Sequence, residues 1–191
     1  MRQFKHVTVS AVLKAVLVVA FLQTHQVAAA SFSNRDLGRI AAADQADRAA
    51  GTNKIDWNIV GKRDAIRREQ VMQLLKSGNV RSADDFFDAA LIFQHGQTMQ
   101  DAQLALALAT VASRLDPTNR DAKVLSADAW DRIMTRAGKP QWYGTQLVKS
   151  KATGKWELYP TEPGVITDAQ RKAMGVPTLE EVKAHLAQIN K

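Results

Sequence analysis

His95, Asp131, Arg132 and the run Gln141-Trp142-Tyr143-Gly144-Thr145-Gln146 are the residues whose types and spacing could do chemistry in this chain. An imidazole titrates near neutrality, so His95 could serve as an acid–base or hydrogen-bonding group. A carboxylate such as Asp131 could orient it, as an acid–base residue is commonly held by a third group. Arg132, and Arg171 further along, offer guanidinium forks suited to a carboxylate or phosphate. Gln141, Tyr143, Thr145 and Gln146 add neutral hydrogen-bonding groups beside flat apolar faces. That mixture lets a pocket fix the orientation of a ligand.

Each of these residues also has a plainer reading. His95 ends an apolar helix in "FQHG", where a histidine can cap the last carbonyls and complement the helix dipole. With Trp130 turned into the core, Asp131 and Arg132 fall on the opposite, solvated side of their helix with Asp128 and Thr135. An Asp128–Arg132 pair there would contribute about 0.3–0.5 kcal/mol. Trp142 and Tyr143 could fill core gaps while the neighbouring amides satisfy backbone groups at the start of a hairpin. Other chemistries find no support. The chain has no Cys, no HExxH, no paired histidines, no phosphate-cradling glycine loop and no GxSxG, so neither a metal nor another cofactor is expected.

The elements that must hold these groups are mostly helices. Ser33 and Asp36 open a helix to about Ala50, and a second runs from about Gly61 to Lys76. Ser82 caps a third, with Asp84 and Asp85 in its first turn where the dipole favours acids. Thr98 with Asp101 opens a fourth, to Leu115, and Thr118 or Asn119 a fifth, to Gly138. The third and fourth helices, "FFDAALIF" and "LALALATVA", are apolar nearly all round and should be buried on several sides. After Pro140 the period changes: "WYGTQLV" and "KWELY" read as two short strands of a hairpin. Thr167 caps a short helix, and Thr178 with Glu181 forms a capping box for the last. The expected fold is mainly α: a compact helical bundle with a central antiparallel helical hairpin and a small β-hairpin near the C-terminus. One helical pair resembles a tetratricopeptide unit, but no second copy follows at its period.

The first thirty residues read as a signal peptide. Arg2 and Lys5 precede an apolar stretch from Val7 to Leu22, and "VAAAS" offers Ala28 and Ala30 for cleavage before Ser31. A stretch containing Lys14 falls short of the roughly 20 apolar residues of a spanning helix. The expectation is an exported protein, periplasmic or secreted, with residues 31–191 as a single domain and no membrane span once the leader is removed. The chain's net charge of +7 includes Arg2, Lys5 and Lys14, so the remainder carries +4. That is too little to make it a nucleic-acid binder on charge alone. The charge is unevenly placed: Asp84 to Asp131 holds eight acids and three bases, and Arg132 to Trp156 six bases and no acid.

Short connections make the third, fourth and fifth helices antiparallel neighbours. His95 then lies at one end, with Asp131 about 9 Å above the foot of the fifth helix at that same end. Gln141 to Gln146 leaves from that foot. The pattern therefore predicts one concave site lined by His95, Asp131 and Gln146.

"FQHG", "AWDR", "QWYGTQ" and "DAQRKAMGVP" together resemble a bacterial domain-of-unknown-function family, the one numbered 6624. The resemblance spans roughly residues 40 to 180. It places family motifs on Asp44, Gln45 and Arg48; on Gln94 and His95; on Asp131 and Arg132; on Gln141, Tyr143, Gly144, Thr145 and Gln146; and on Arg171 and Gly175. Where many members carry an acid soon after the histidine, this chain has Gly96-Gln97-Thr98. The resemblance implies a polar site at these positions and no particular reaction. Two functions follow as expectations. The first is binding, extending to hydrolysis, of a small polar or anionic ligand or envelope component, with His95 and Asp131 as acid–base pair. Arg132, Gln141, Tyr143, Thr145, Gln146 and Arg171 would be its ligand-binding groups. The second is a helical protein-interaction module without catalysis.

Overall fold

Side-chain caps set where the helices of this chain begin. The computed structural model describes residues 33–49 and 54–191; the expected signal peptide lies outside the described residues. The helices are α1 (Arg35–Arg48), α2 (Trp57–Lys76), α3 (Ala83–Gln94), α4 (Met99–Leu115), α5 (Arg120–Arg136), α6 (Asp168–Ala173) and α7 (Leu179–Ile189), with strands β1 (Leu147–Lys149) and β2 (Trp156–Leu158) between α5 and α6. Complete capping boxes open α3, α4, α6 and α7 at Ser82, Thr98, Thr167 and Thr178. Each satisfies backbone donors that a helix start leaves unpaired.

Two starts differ from the sequence pattern. Asn34 rather than Ser33 caps α1, and Asp56 caps α2 about a turn before Gly61. Both side chains accept from the second and third helical amides, a role in which Asn and Asp equal Ser.

The helices α3, α4 and α5 pack side by side in chain order, reversing through the short turns His95–Thr98 and Asp116–Asn119. Their shared core holds Ala89, Ala90, Ile92, Phe93, Ala105, Leu108, Ala109, Leu125 and Ala129. The alanines bring the backbones close, so little volume separates the helices. α1 and α2 lie against α3 and contribute Leu37 and Val71 to the same core. The expectation that α4 is buried on several sides holds only where it packs against α3 and α5. Val111 and Leu115 stay exposed, because no described element covers the far side of α4.

β1 and β2 pair antiparallel, with Leu147 opposite Leu158 and Lys149 opposite Trp156. The side-chain amide of Asn190 bonds both the N–H and the C=O of Trp156 at 2.8 Å, closing part of the free edge of β2. The strands are shorter than the sequence pattern, since residues 142–146 are not strand. No helix among the described residues is long and apolar enough to cross a membrane.

Candidate functional site

The residues singled out in the sequence divide between two neighbouring places on α5, about 100° apart around the helix. At the first, His95 lines an open cavity of about 510 Å³ with Arg48, Trp57, Asp64, Gln97 and Arg132 among its walls. His95 is the C-cap of α3, so the α3–α4 turn presents its ring. Gly96 follows because a side chain there would overlap Asp101: an added Cβ would sit 2.3 Å from Asp101 Cγ, held by the α4 capping box.

The carboxylate facing His95 is Asp44 of α1, not Asp131. Asp44 Oδ2 lies 2.9 Å from His95 Nδ1. The ring N–H does not point along that line, since Nδ1 is buried without an aligned acceptor. The pair is therefore a close polar contact rather than a straight hydrogen bond. Nε2 makes no hydrogen bond among the described residues and is not one of the buried unpaired atoms, so this edge of the ring is open to the cavity. Asp44 is itself 1% exposed. Its own neighbours hold it: Arg48 Nη1 at 2.8 Å and Gln45 Nε2 at 2.9 Å. Burial alone would raise its pKa, but the contacts with His95, Arg48 and Gln45 outweigh burial and hold it below the ordinary carboxylate value.

Behind Asp44 runs a charged seam between α1 and α2. Arg48 also bonds Asp64 at 2.5 Å; Arg67 bonds Asp64 at 3.0 Å and Asp47 at 2.5 Å. Asp44, Asp64 and Arg67 are buried, so each charge depends on its partners. The seam fixes Arg48 and Asp44 in place and spends the charge of Arg48 on two carboxylates. Arg132 differs. It donates to the Gln94 carbonyl and has no carboxylate within ion-pair range among the described residues. One turn on, Arg136 donates to the carbonyls of Gly96 at 2.6 Å and Thr98 at 2.5 Å. Burial and the nearby Arg132 charge lower the Arg136 pKa. The end of α3 thus meets two cations from α5, and the one at the cavity has no counter-charge.

Next to Arg132 on α5 but about 100° around the helix, Asp131 is fully buried. Its Oδ1 accepts from the backbone N–H groups of Trp142 (2.8 Å) and Tyr143 (2.9 Å). Oδ2 accepts from the N–H of Thr145 (3.0 Å) and its hydroxyl (2.9 Å). The carbonyls of the same segment turn the other way. Arg171 of α6 donates to Tyr143 O at 3.1 Å and Trp142 O at 3.0 Å. A buried anion takes the amides of the loop and a buried cation its carbonyls. Gln141, also fully buried, donates to the carbonyls of Gln146 and Tyr159 and accepts from the Gln146 N–H. Gln146 and Gln94 then share Asp128, one on each carboxylate oxygen. Trp130 and Trp142 stack at 4.5 Å between ring centroids, tilted by 52°. Burial, then the Asp131 charge, raises the Tyr143 pKa.

Several expectations are corrected by this arrangement. Asp131 and Arg132 do not share a solvated face: the segment after α5 covers Asp131, while Arg132 packs on the end of α3 and lines the His95 cavity. The Asp128–Arg132 pair does not form: Asp128 is occupied by two amides and Arg132 by a carbonyl. The single concave site lined by His95, Asp131 and Gln146 is absent among the described residues. His95 and Arg132 line the cavity. Asp131, Gln141, Thr145 and Arg171 form a latch, with Tyr143 and Gln146 joined to it. The residues that pattern reading passed over are Trp57, Asp64 and Gln97, and Asp44 and Arg48 were flagged only by the family motif. An Asp and an Arg at i, i+4 in "ADQADR", on a helix with few large apolar residues, are the one signal pointing at them. Among the described residues no group of three or more His, Cys, Asp or Glu side chains could hold a metal ion.

What the fold and site define is a helical domain with an Asp–His contact beside a cavity that His95 and Arg132 line. Comparison of the chain with protein-family models, with curated proteins and with solved structures finds no match.

Proposed function

We propose that this protein binds a small polar, anionic ligand in the cavity beside His95. The observation that carries the reading is Arg132, a cation at the cavity wall without a carboxylate partner, next to a histidine whose Nε2 is open to the same space. A guanidinium with free donors takes a carboxylate or phosphate oxygen, and His95 supplies a second polar contact. Trp57, 53% exposed, adds a flat apolar wall. Of the residues on which the resemblance to the family of unknown function rests, Asp44, Arg48, His95 and Arg132 gather at this cavity, while Asp131, Gln141, Tyr143, Thr145, Gln146 and Arg171 belong to the latch. Hydrolysis is the reaction to which such a site would extend: His95 would take a proton from the attacking water and give it to the leaving group as its bond breaks, with Asp44, not Asp131, offsetting the imidazolium charge in between. Export, with cleavage after Ala30, is part of this proposal, and N-terminal sequencing of the secreted protein should begin at Ser31.

Thermal-shift screening with envelope sugars, nucleotides and small peptides tests the reading. At least one anionic member should raise the melting temperature of the parent, and Arg132→Gln and His95→Ala should melt like the parent but lose that response. Loss of the response in neither variant would place binding elsewhere and overturn the proposal.

The alternative, a helical interaction module, draws on the exposed Val111 and Leu115 of α4. Those two side chains form a small patch, below what marks a binding face.

A further inference from the structure

A second cleft, of about 680 Å³, separates α5 from the C-terminal segment on the latch side of the molecule. It shares no lining residue with the His95 cavity. Val124 of α5, Leu147 of β1, and Val176, Pro177 and Val182 around the start of α7 make its walls apolar. Three basic side chains, Arg120, Lys172 and His185, line the same space.

The two acids in the cleft keep their charge, but their oxygens already accept hydrogen bonds from amides. Asp128 receives the Gln94 and Gln146 amides, and Glu181 accepts the Thr178 N–H at 2.7 Å within its capping box. The bases are far less committed. Arg120 gives one hydrogen bond, to Gly175 O at 2.7 Å; Lys172 and His185 make no side-chain hydrogen bond or contact ion pair among the described residues, although, after the Thr178 hydrogen bonds, the Lys172 charge helps lower the Glu181 pKa. An apolar trough with spare cationic donors at its edge matches a molecule that has an apolar body and one anionic end. We infer that this cleft is a binding site for a small amphipathic monoanion, an alkyl carboxylate being the simplest of its class. The carboxylate sits among Lys172, His185 and Arg120, and the chain lies along Val124, Leu147 and Val182. The site is independent of the His95 cavity.

Decanoate, kept below its micellar concentration, is the probe, with decyltrimethylammonium as the probe of opposite charge. In amide-resolved NMR titrations, decanoate should shift Gly144, Leu147, Val176 and Val182 and leave Gln97 and Arg132 unmoved. The cationic probe should shift none of them. Lys172→Glu, at an exposed position, should keep the fold and weaken decanoate binding about tenfold, the equivalent of about 1.4 kcal/mol. Val124→Trp should fill the trough and abolish binding. If that variant misfolds, the Lys172→Glu result stands alone as the test. His95→Ala should bind decanoate like the parent, which separates this site from the other. Equal binding of both probes, parent-like affinity in Lys172→Glu, or no shifts at these amides would each overturn the inference.

Discussion

Asp131 is where the chemistry of one residue weighs most. Removing its side chain leaves three part-buried N–H groups and a hydroxyl without an acceptor. Hydrogen bonds to a charged group contribute about 1.5–3 kcal/mol each, and stranding a buried donor costs its desolvation. Asp131→Ala should therefore lose at least about 3 kcal/mol in urea melts, whereas His95→Ala, at a partly open cavity, should lose about 0.5 kcal/mol or less. A parent-like Asp131→Ala would mean that water enters and replaces the carboxylate. Asp88 offers a pH test. Burial, then the charges of Asp84 and Asp85, raises its pKa from 3.8 to about 6. The folded protein holds that proton more tightly than the unfolded chain, so this residue's contribution to stability is lost as pH rises from 3.8 to about 6. Asp88→Asn should stabilise the protein at pH 7 by about 1–2 kcal/mol, since solvent screens part of the effect at this half-buried site, and change little below pH 4. Melts at several pH values would show it, and a gain that is the same at every pH would refute it.

Among the elements, the segment between α5 and β1 depends most on a single backbone conformation. Gly144 has φ of +83°, and an added Cβ would lie 2.6 Å from Leu179 Cδ2 of α7. Gly144→Ala meets both a strained dihedral and a clash, so it should cost about 1–3 kcal/mol. It should also raise hydrogen-exchange rates in β1, β2 and α7 before those in α3 and α4. Protection lost evenly across the molecule would show instead that no part opens separately. Helix starts were legible because a cap is local: Ser82 with Asp85, Thr98 with Asp101 and Thr178 with Glu181 need only neighbouring residues. The strands were legible in place but not in length. Tyr143 and Thr145 alternate like strand residues, yet their amides go to a carboxylate on a helix, a partner that no local pattern reveals.

For the whole molecule, the helical bundle and the hairpin could be read from period and turn residues, and the convergence of polar groups near one end of α5 could be anticipated. What could not be read was which side of α5 each group serves. Amphipathic periodicity assigns a helix one covered face, and α5 has two: the core side carries Leu125 and Ala129, and the opposite side receives the C-terminal segment. The contact between Asp44 and His95 joins α1 to the end of α3 and leaves no trace in either local pattern. Asp131 and Arg132 are consecutive, so their side chains leave α5 about 100° apart. One is held by loop amides and the other by the Gln94 carbonyl. The helix is thus keyed at two angles, like a shaft that can neither roll nor slide. Its greasy side need not define its setting, so Leu125→Met should leave the His95 cavity in register even while it softens the core.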